Sequence, residues 1–221
     1  MANVEGVRGR IAEAARRAGR DPASITLVGV AKRRSAEATA ALAGAGVLDI
    51  GENYPQELWE KAKALADRPI RWHLIGHLQG NKARRTAPLV AMIHAVDSLK
   101  LLRLLDGLEN PPRACLQVNA SGEASKHGWE PHSILDDALA IAECSRVPVV
   151  GLMTMAAPCD DPEQARPAFA RLREVRDELR ERTGLDLPEL SMGMSDDFEA
   201  AIAEGATLLR IGSSLFEGVE E

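Results

Sequence analysis

Short apolar runs recur along the chain at residues 25–30, 47–50, 70–75, 91–96, 113–118, 147–152, 187–192 and 207–211. They are mostly continuous in Val, Ile and Leu rather than alternating, the pattern of parallel strands buried on both faces. Arg71, His73 and Gln117 interrupt it. Helical patterns lie between the runs: 36–42, 56–66, 99–108, 134–142 and a long segment over 162–182 with Phe169, Leu172, Val175 and Leu179 on one side. A helix over 4–18, with Val4, Val7 and Ile11 on one face, precedes the first run and ends at Gly19 and Asp21-Pro22. Strand and helix thus alternate eight times without a linker. That rhythm predicts an α/β protein, a single (β/α)8 TIM barrel over residues 1–221 with an extra N-terminal helix.

Composition narrows the function classes. Lys and Arg total 27 against 33 Asp and Glu, a net charge of -6, so no overall positive field draws a polyanion and nucleic acid is not an expected partner. No stretch reaches the roughly 20 apolar residues of a membrane span, and the charged first 20 residues lack a signal core. Cys115, Cys144 and Cys159 are odd in number and widely spaced, which fits neither a disulfide framework nor a structural zinc site and points to a reducing cytoplasm.

In a barrel of this kind ligands bind at the C-terminal ends of the strands, so the residues after each run carry the candidate chemistry. Lys32 follows the first run. A barrel interior would strip water from its ammonium group and favour the neutral, nucleophilic amine of a Schiff-base lysine, whereas a solvated lysine in a Lys32-Arg33-Arg34 loop is the plainer reading. Gly212-Ser213-Ser214 follows the eighth run, where barrels often place a phosphate on backbone N–H groups, and Ser195 after the seventh could add a hydroxyl. Ser195 is equally suited to cap a helix over 196–203. Arg210 stands in an otherwise apolar strand and requires a partner, either a carboxylate such as Glu52 or a ligand acceptor. His73 and His77 are four apart but run from strand into loop, so they are not a helical zinc pair, and His73 reads as a satisfied interior histidine. No metal site is expected. Cys159 has no identifiable base, and Met153, Met155, Met192 and Met194 read as packing residues.

The ordered set of Lys32, Gly51-Glu52-Asn53-Tyr54, the segment from His73 to Lys82, Lys126-His127-Gly128, Gly151-Leu152-Met153, Gly193-Met194-Ser195-Asp196-Asp197 and Arg210-Ile211-Gly212-Ser213 resembles the pyridoxal phosphate homeostasis protein family over nearly the whole chain. The resemblance implies a barrel like that of the alanine racemase N-terminal domain, a cytoplasmic and mostly monomeric protein, and pyridoxal 5'-phosphate (PLP) as cofactor. It implies a role in intracellular vitamin B6 homeostasis without established turnover, with PLP-dependent apoenzymes as recipients. By the same resemblance Lys32 holds PLP as a Schiff base, Asn53 lies near the ring, Ser195, Gly212 and Ser213 hold the phosphate, and Arg210 faces the pyridine nitrogen. A guanidinium there can only donate, which leaves that nitrogen unprotonated and the ring a weaker electron sink. Ala31 and Ser35 stand where the family commonly has Ser and Pro, and Glu217 where it has Gly. The alternatives are a small PLP-dependent amino-acid racemase, for which Tyr54 is the only tyrosine at hand, and an aldolase-like barrel.

Overall fold

The computed structural model describes residues 2–122, 127–157 and 161–218. Lys126 and Cys159 lie outside them. Eight parallel strands close in chain order: β1 Thr26–Val30, β2 Asp49–Glu52, β3 Arg71–Leu74, β4 Met92–Val96, β5 Arg113–Gln117, β6 Val149–Met153, β7 Glu189–Ser191 and β8 Leu208–Ile211, with β8 pairing back onto β1. Each expected run thus overlaps a strand, and β6 runs one residue past its run, to Met153. The second is displaced, because Gly51 and Glu52 belong to β2 rather than to the loop after it. A buried glutamate hid that strand end, and it is accommodated by a lysine from the next helix.

The helices are α1 Ala2–Arg17, α2 Ala36–Gly44, α3 Pro55–Ala64, α4 Gly80–Thr86, α5 Leu99–Asp106, α6 Ser133–Asp136, α7 Ala138–Ala142, α8 Arg166–Thr183 and α9 Phe198–Ala203. Local chemistry sets their limits. Ser35 caps α2 by accepting from Ala38 N, which gives a physical reason for Ser at that position, and Ser98 caps α5 by accepting from Leu101 N. Gly184 ends α8 in the left-handed region at φ 70°. Two helical expectations change. Gly80–Thr86 was legible only as loop, since it buries just Ala83 and Thr86 and has no apolar period. The 134–142 helix is two, divided at Asp137, whose carboxylate accepts from Trp129 Nε1 at 2.8 Å.

Most buried apolar side chains, including Phe169, Leu172, Val175 and Leu179 of α8, form one core between barrel and helices. Inside the barrel a much smaller cluster stands apart: Met92, Ala95, Cys115, Met153 and Leu208. Polar side chains of the strands are buried as well: Asp49, His73, His94, Gln117, Ser191 and Arg210. Helix α1 buries Val4, Val7, Ile11, Ala14 and Ala15 and packs on α9 and on the 3-10 turn Ser213–Leu215. No helix among the described residues is long and apolar enough to cross a membrane.

Candidate functional site

The strand ends open on a cavity of about 310 Å³, and Lys32, Asn53, Ser195, Arg210, Gly212 and Ser213 all line it. Four of the eight strands deliver them: Lys32 follows β1, Asn53 β2 and Ser195 β7, while Arg210 lies in β8 and Gly212-Ser213 follow it. Val30, Ile75, Met155 and Met194 supply the apolar part of the wall. Met155 and Met194 therefore belong to the cavity rather than to packing, whereas Met153 and Met192 are fully buried. A larger hollow of about 490 Å³ occurs at the other end of the barrel between α1 and the starts of β1 to β3, but its Arg8 and Arg71 are already bonded, to the Gly46 carbonyl and to Asp49. Size alone does not pick the site; unpaired chemistry does.

Lys32 is solvent-exposed, so the expected stripping of water from its ammonium group is not what the structure shows. It makes no side-chain hydrogen bond or ion pair with any described residue. Its backbone is nevertheless closely held. Arg34 N donates to the Ala31 carbonyl at 3.0 Å, closing a turn over Lys32 and Arg33, and Arg33 sits in the left-handed region at φ 60° without being glycine. The Ala31 carbonyl also accepts from Lys61 Nζ at 2.7 Å, and Lys61 is itself ion-paired to Glu52. Burial pushes the Glu52 carboxyl up, with the Lys61 hydrogen bond and charge pulling the other way.

Glu52 is thus not the partner of Arg210. The Arg210 guanidinium, 4% exposed, donates from Nη1 to Ser191 Oγ at 2.7 Å and from Nη2 to the Thr154 carbonyl at 2.8 Å. Among the described residues no carboxylate bonds to it. Burial lowers its pKa to about 10, with the nearby Asp197 charge working in the opposite direction, so it remains a cation at neutral pH. The result is a buried positive charge on the cavity wall with neutral partners only, a surface complementary to an anion or an uncharged acceptor.

Ser195 is buried, and its hydroxyl lies 3.4 Å from Gly212 N and 3.5 Å from Ser214 N. The expected N-cap role falls instead to the region of Asp197: α9 begins at Phe198, and the Asp197 carboxylate accepts from Met194 N at 2.6 Å. That bond turns one acid back onto its own loop. Asp196, also on the cavity wall, is exposed. The turn that follows is fastened from outside, because Asn3 of α1 donates to the carbonyls of Leu215 at 3.3 Å and Glu217 at 2.8 Å. On the opposite wall Gly76 lets the β3 loop approach Asn53 closely; a Cβ at Gly76 would stand 2.2 Å from the Asn53 carbonyl oxygen.

Other candidates separate cleanly. His73 is buried with both ring nitrogens bonded, as an interior histidine should be. His77 stands on the rim, 2.7 Å from Asp97 and stacked on His127, in a group of two exposed histidines and a half-buried acid. Tyr54 is 43% exposed and does not line the cavity. Sequence reasoning missed Thr154, Ser191 and His94, the polar lumen residues behind Arg210. His94 and Ser191 stand within the runs 91–96 and 187–192, and Thr154 directly follows β6.

Comparison with known proteins agrees with this geometry. The profile of the family described as "Alanine racemase, N-terminal domain" matches residues 5–219. The pyridoxal phosphate homeostasis protein of Pseudomonas aeruginosa is 46% identical over 219 residues, covering 97% of this chain and 93% of that one. The protein of the same name from Aquifex aeolicus is 40% identical over 211 residues, covering 94% and 92%. The structure of PipY of Synechococcus elongatus with PLP bound superposes with a TM-score of 0.81 at 36% identity, covering 93% of this chain and 99% of that one. From a closed barrel with these residues at its mouth and relatives of this similarity over nearly full length, it follows that the chain belongs to the pyridoxal phosphate homeostasis protein family, on the alanine racemase N-terminal-domain fold.

Proposed function

We propose that the chain binds PLP in the mouth cavity, with the Lys32 amine as a reversible covalent anchor, and serves vitamin B6 homeostasis by holding the cofactor rather than by turnover. The observation that carries this reading is the convergence of Lys32, Asn53, Ser195, Arg210, Gly212 and Ser213 on one cavity. The residues fit the group by chemistry. An amine with no partner among the described residues suits an aldehyde. A hydroxyl ringed by two backbone N–H groups suits a phosphate. A buried guanidinium with neutral partners suits a ring nitrogen that accepts. When bound, PLP supplies an aldehyde that condenses reversibly with amines. The protein's part is to orient it: Val30, Ile75, Met155 and Met194 cover its apolar surface, and Arg210 holds a donor to the ring.

Holding fits better than racemisation. Two-sided proton transfer needs an acid and a base on opposite ring faces, and Tyr54 is exposed outside the cavity. We further propose that residues 1–221 act as one unit, a cytoplasmic monomer whose partners are PLP-dependent apoenzymes, with no nucleic acid involved.

The test is an absorbance titration of the purified protein with PLP and with its phosphate-free form, pyridoxal. The expected result is a saturable visible band with PLP, much weaker binding of pyridoxal, and no band in Lys32→Ala. Incubation of the loaded protein with single-enantiomer amino acids in deuterated water is expected to give no steady α-proton exchange. Sustained exchange would favour the racemase.

A further inference from the structure

The barrel lumen holds a line of polar groups running from the cavity wall to the opposite end. Arg210 Nη1 is 2.7 Å from Ser191 Oγ, and that oxygen is 2.7 Å from His94 Nδ1. His94 Nε2 is 2.8 Å from His73 Nδ1, and His73 Nε2 is 3.1 Å from Asp49 Oδ1. Arg71, exposed at the start of β3, closes the line by donating from Nε to Asp49 at 2.7 Å. Strands β8, β7, β4, β3 and β2 each contribute one member from Arg210 to Asp49. Barrels usually fill this volume with layers of branched apolar side chains. Here Met92, Cys115, Met153 and Leu208 fill only part of it. Polar groups with this little access to water are retained at a cost unless every one is paired.

The two ends fix the direction of every bond between them. A guanidinium has no acceptor, so Ser191 Oγ accepts from Arg210 and has one proton to give. An ionised carboxylate has no donor. Burial would raise Asp49, but hydrogen bonds from His73 and Arg71, with the Arg71 charge beside them, hold it below the ordinary carboxylate range, so His73 Nε2 must carry the proton facing it. A neutral imidazole carries one N–H and one bare nitrogen. His73 Nδ1 is then an acceptor, His94 Nε2 its donor, and His94 Nδ1 the acceptor for the Ser191 hydroxyl. With both rings neutral this is the single arrangement that satisfies all four contacts. His94 favours neutrality, because burial above all, with the Arg210 and Arg113 charges adding to it, lowers its pKa well below the ordinary histidine value.

We propose that Asp49, His73, His94 and Ser191 are positioning residues, a one-way hydrogen-bonded line that fixes the Arg210 guanidinium in a single orientation at the cavity. Ser191 and the Thr154 carbonyl engage one N–H on each terminal nitrogen, and the N–H groups left over are those a ligand can use. The line anchors this donor set to the barrel frame through side chains from four strands. An unanchored guanidinium could rotate toward Asp197 or the solvent. The consequence for PLP rests on the function proposed above; the proton arrangement does not.

The test therefore has a ligand-free arm. Long-range nitrogen–proton correlation NMR of the protein without PLP reports the tautomer of each histidine. The expected result at neutral pH is Nε2–H for both His73 and His94, and slowly rotating, separately resolved Arg210 Nη signals in wild type that average together in Ser191→Ala. Either ring in the Nδ1–H or doubly protonated form, or Arg210 signals indifferent to Ser191→Ala, would overturn the proposal. In the ligand arm, Ser191→Ala is expected to weaken PLP binding about tenfold, the loss of one hydrogen bond, and to shift the visible band, while borohydride still traps PLP on Lys32. Ser191→Thr, which keeps the hydroxyl, is expected to restore the band position. His94→Gln, if still cooperatively folded, keeps a donor toward His73 but not the acceptor for Ser191, and is expected to resemble Ser191→Ala. An unmoved band and affinity in both Ser191→Ala and His94→Gln would also overturn it. Failure of wild type to bind PLP would instead refute the proposed function and leave the tautomer result standing.

Discussion

Lys61 Nζ stands 2.5 Å from Glu52 Oε1, both side chains buried, and the same ammonium group donates to the carbonyl of Ala31, the residue before Lys32. A pair on the outer face of the barrel thereby fixes the start of the turn that carries the proposed anchor. Glu52 Oε2 has no hydrogen-bond partner among the described residues, so Lys61 is the main compensation for that carboxylate. Lys61→Met is expected to destabilise the fold by about 3–5 kcal/mol, the cost of leaving a buried charge without its partner. The double variant Glu52→Leu with Lys61→Met is expected to recover most of this. Denaturant unfolding of the three proteins measures it, and equal stability of single and double variants would show that the pair is not what matters.

The Asn3 clamp predicts a selective defect. Asn3→Ala removes the side-chain donors to Leu215 and Glu217, which flank the end of the turn that presents Gly212 and Ser213. Those bonds are partly exposed, so the effect on stability is expected to stay below about 1 kcal/mol. Affinity for PLP is expected to fall several-fold while affinity for pyridoxal, which has no phosphate, stays unchanged. Parallel titrations with the two compounds decide it; an equal loss for both would place the effect elsewhere.

Acid stability should carry the mark of Asp49. Its folded pKa is about 2 against an ordinary 3.8, so it contributes stability that is fully present above about pH 4 and is lost as pH falls through 2. The difference amounts to about 2 kcal/mol. Unfolding free energies of wild type and Asp49→Asn between pH 5 and 2 are expected to converge by about this amount as pH drops. Parallel curves would mean that Asp49 is not held by His73 and Arg71.

The eight-stranded barrel was legible because parallel strands buried on both faces write themselves as continuous apolar runs. The cavity residues were legible because barrels collect chemistry at strand ends. What escaped lay where polarity enters the interior. Glu52 and Lys61 meet only once α3 folds onto β2, and no spacing rule marks nine residues across a strand and a helix as a pair. Ser191 and His94 are 97 positions apart and touch only because the barrel closes. Arg210 was correctly singled out as a buried cation in need of a partner, but the partner is a hydroxyl and a carbonyl, which carry no charge to look for. Lys32 was placed at the right strand end, and of its two readings the solvated lysine is the one the structure shows. The turn that follows β1, closed by Arg34 N on the Ala31 carbonyl, leaves the Lys32 side chain exposed, and no property of the run itself reports that turn.

The most direct measurement is borohydride reduction of the protein after incubation with PLP, followed by peptide mass mapping. The account predicts one stable phosphopyridoxyl label per chain, on Lys32, and none in Lys32→Ala. A label spread over surface lysines, or concentrated on Lys61 or Lys82 with Lys32 unmodified, would contradict it.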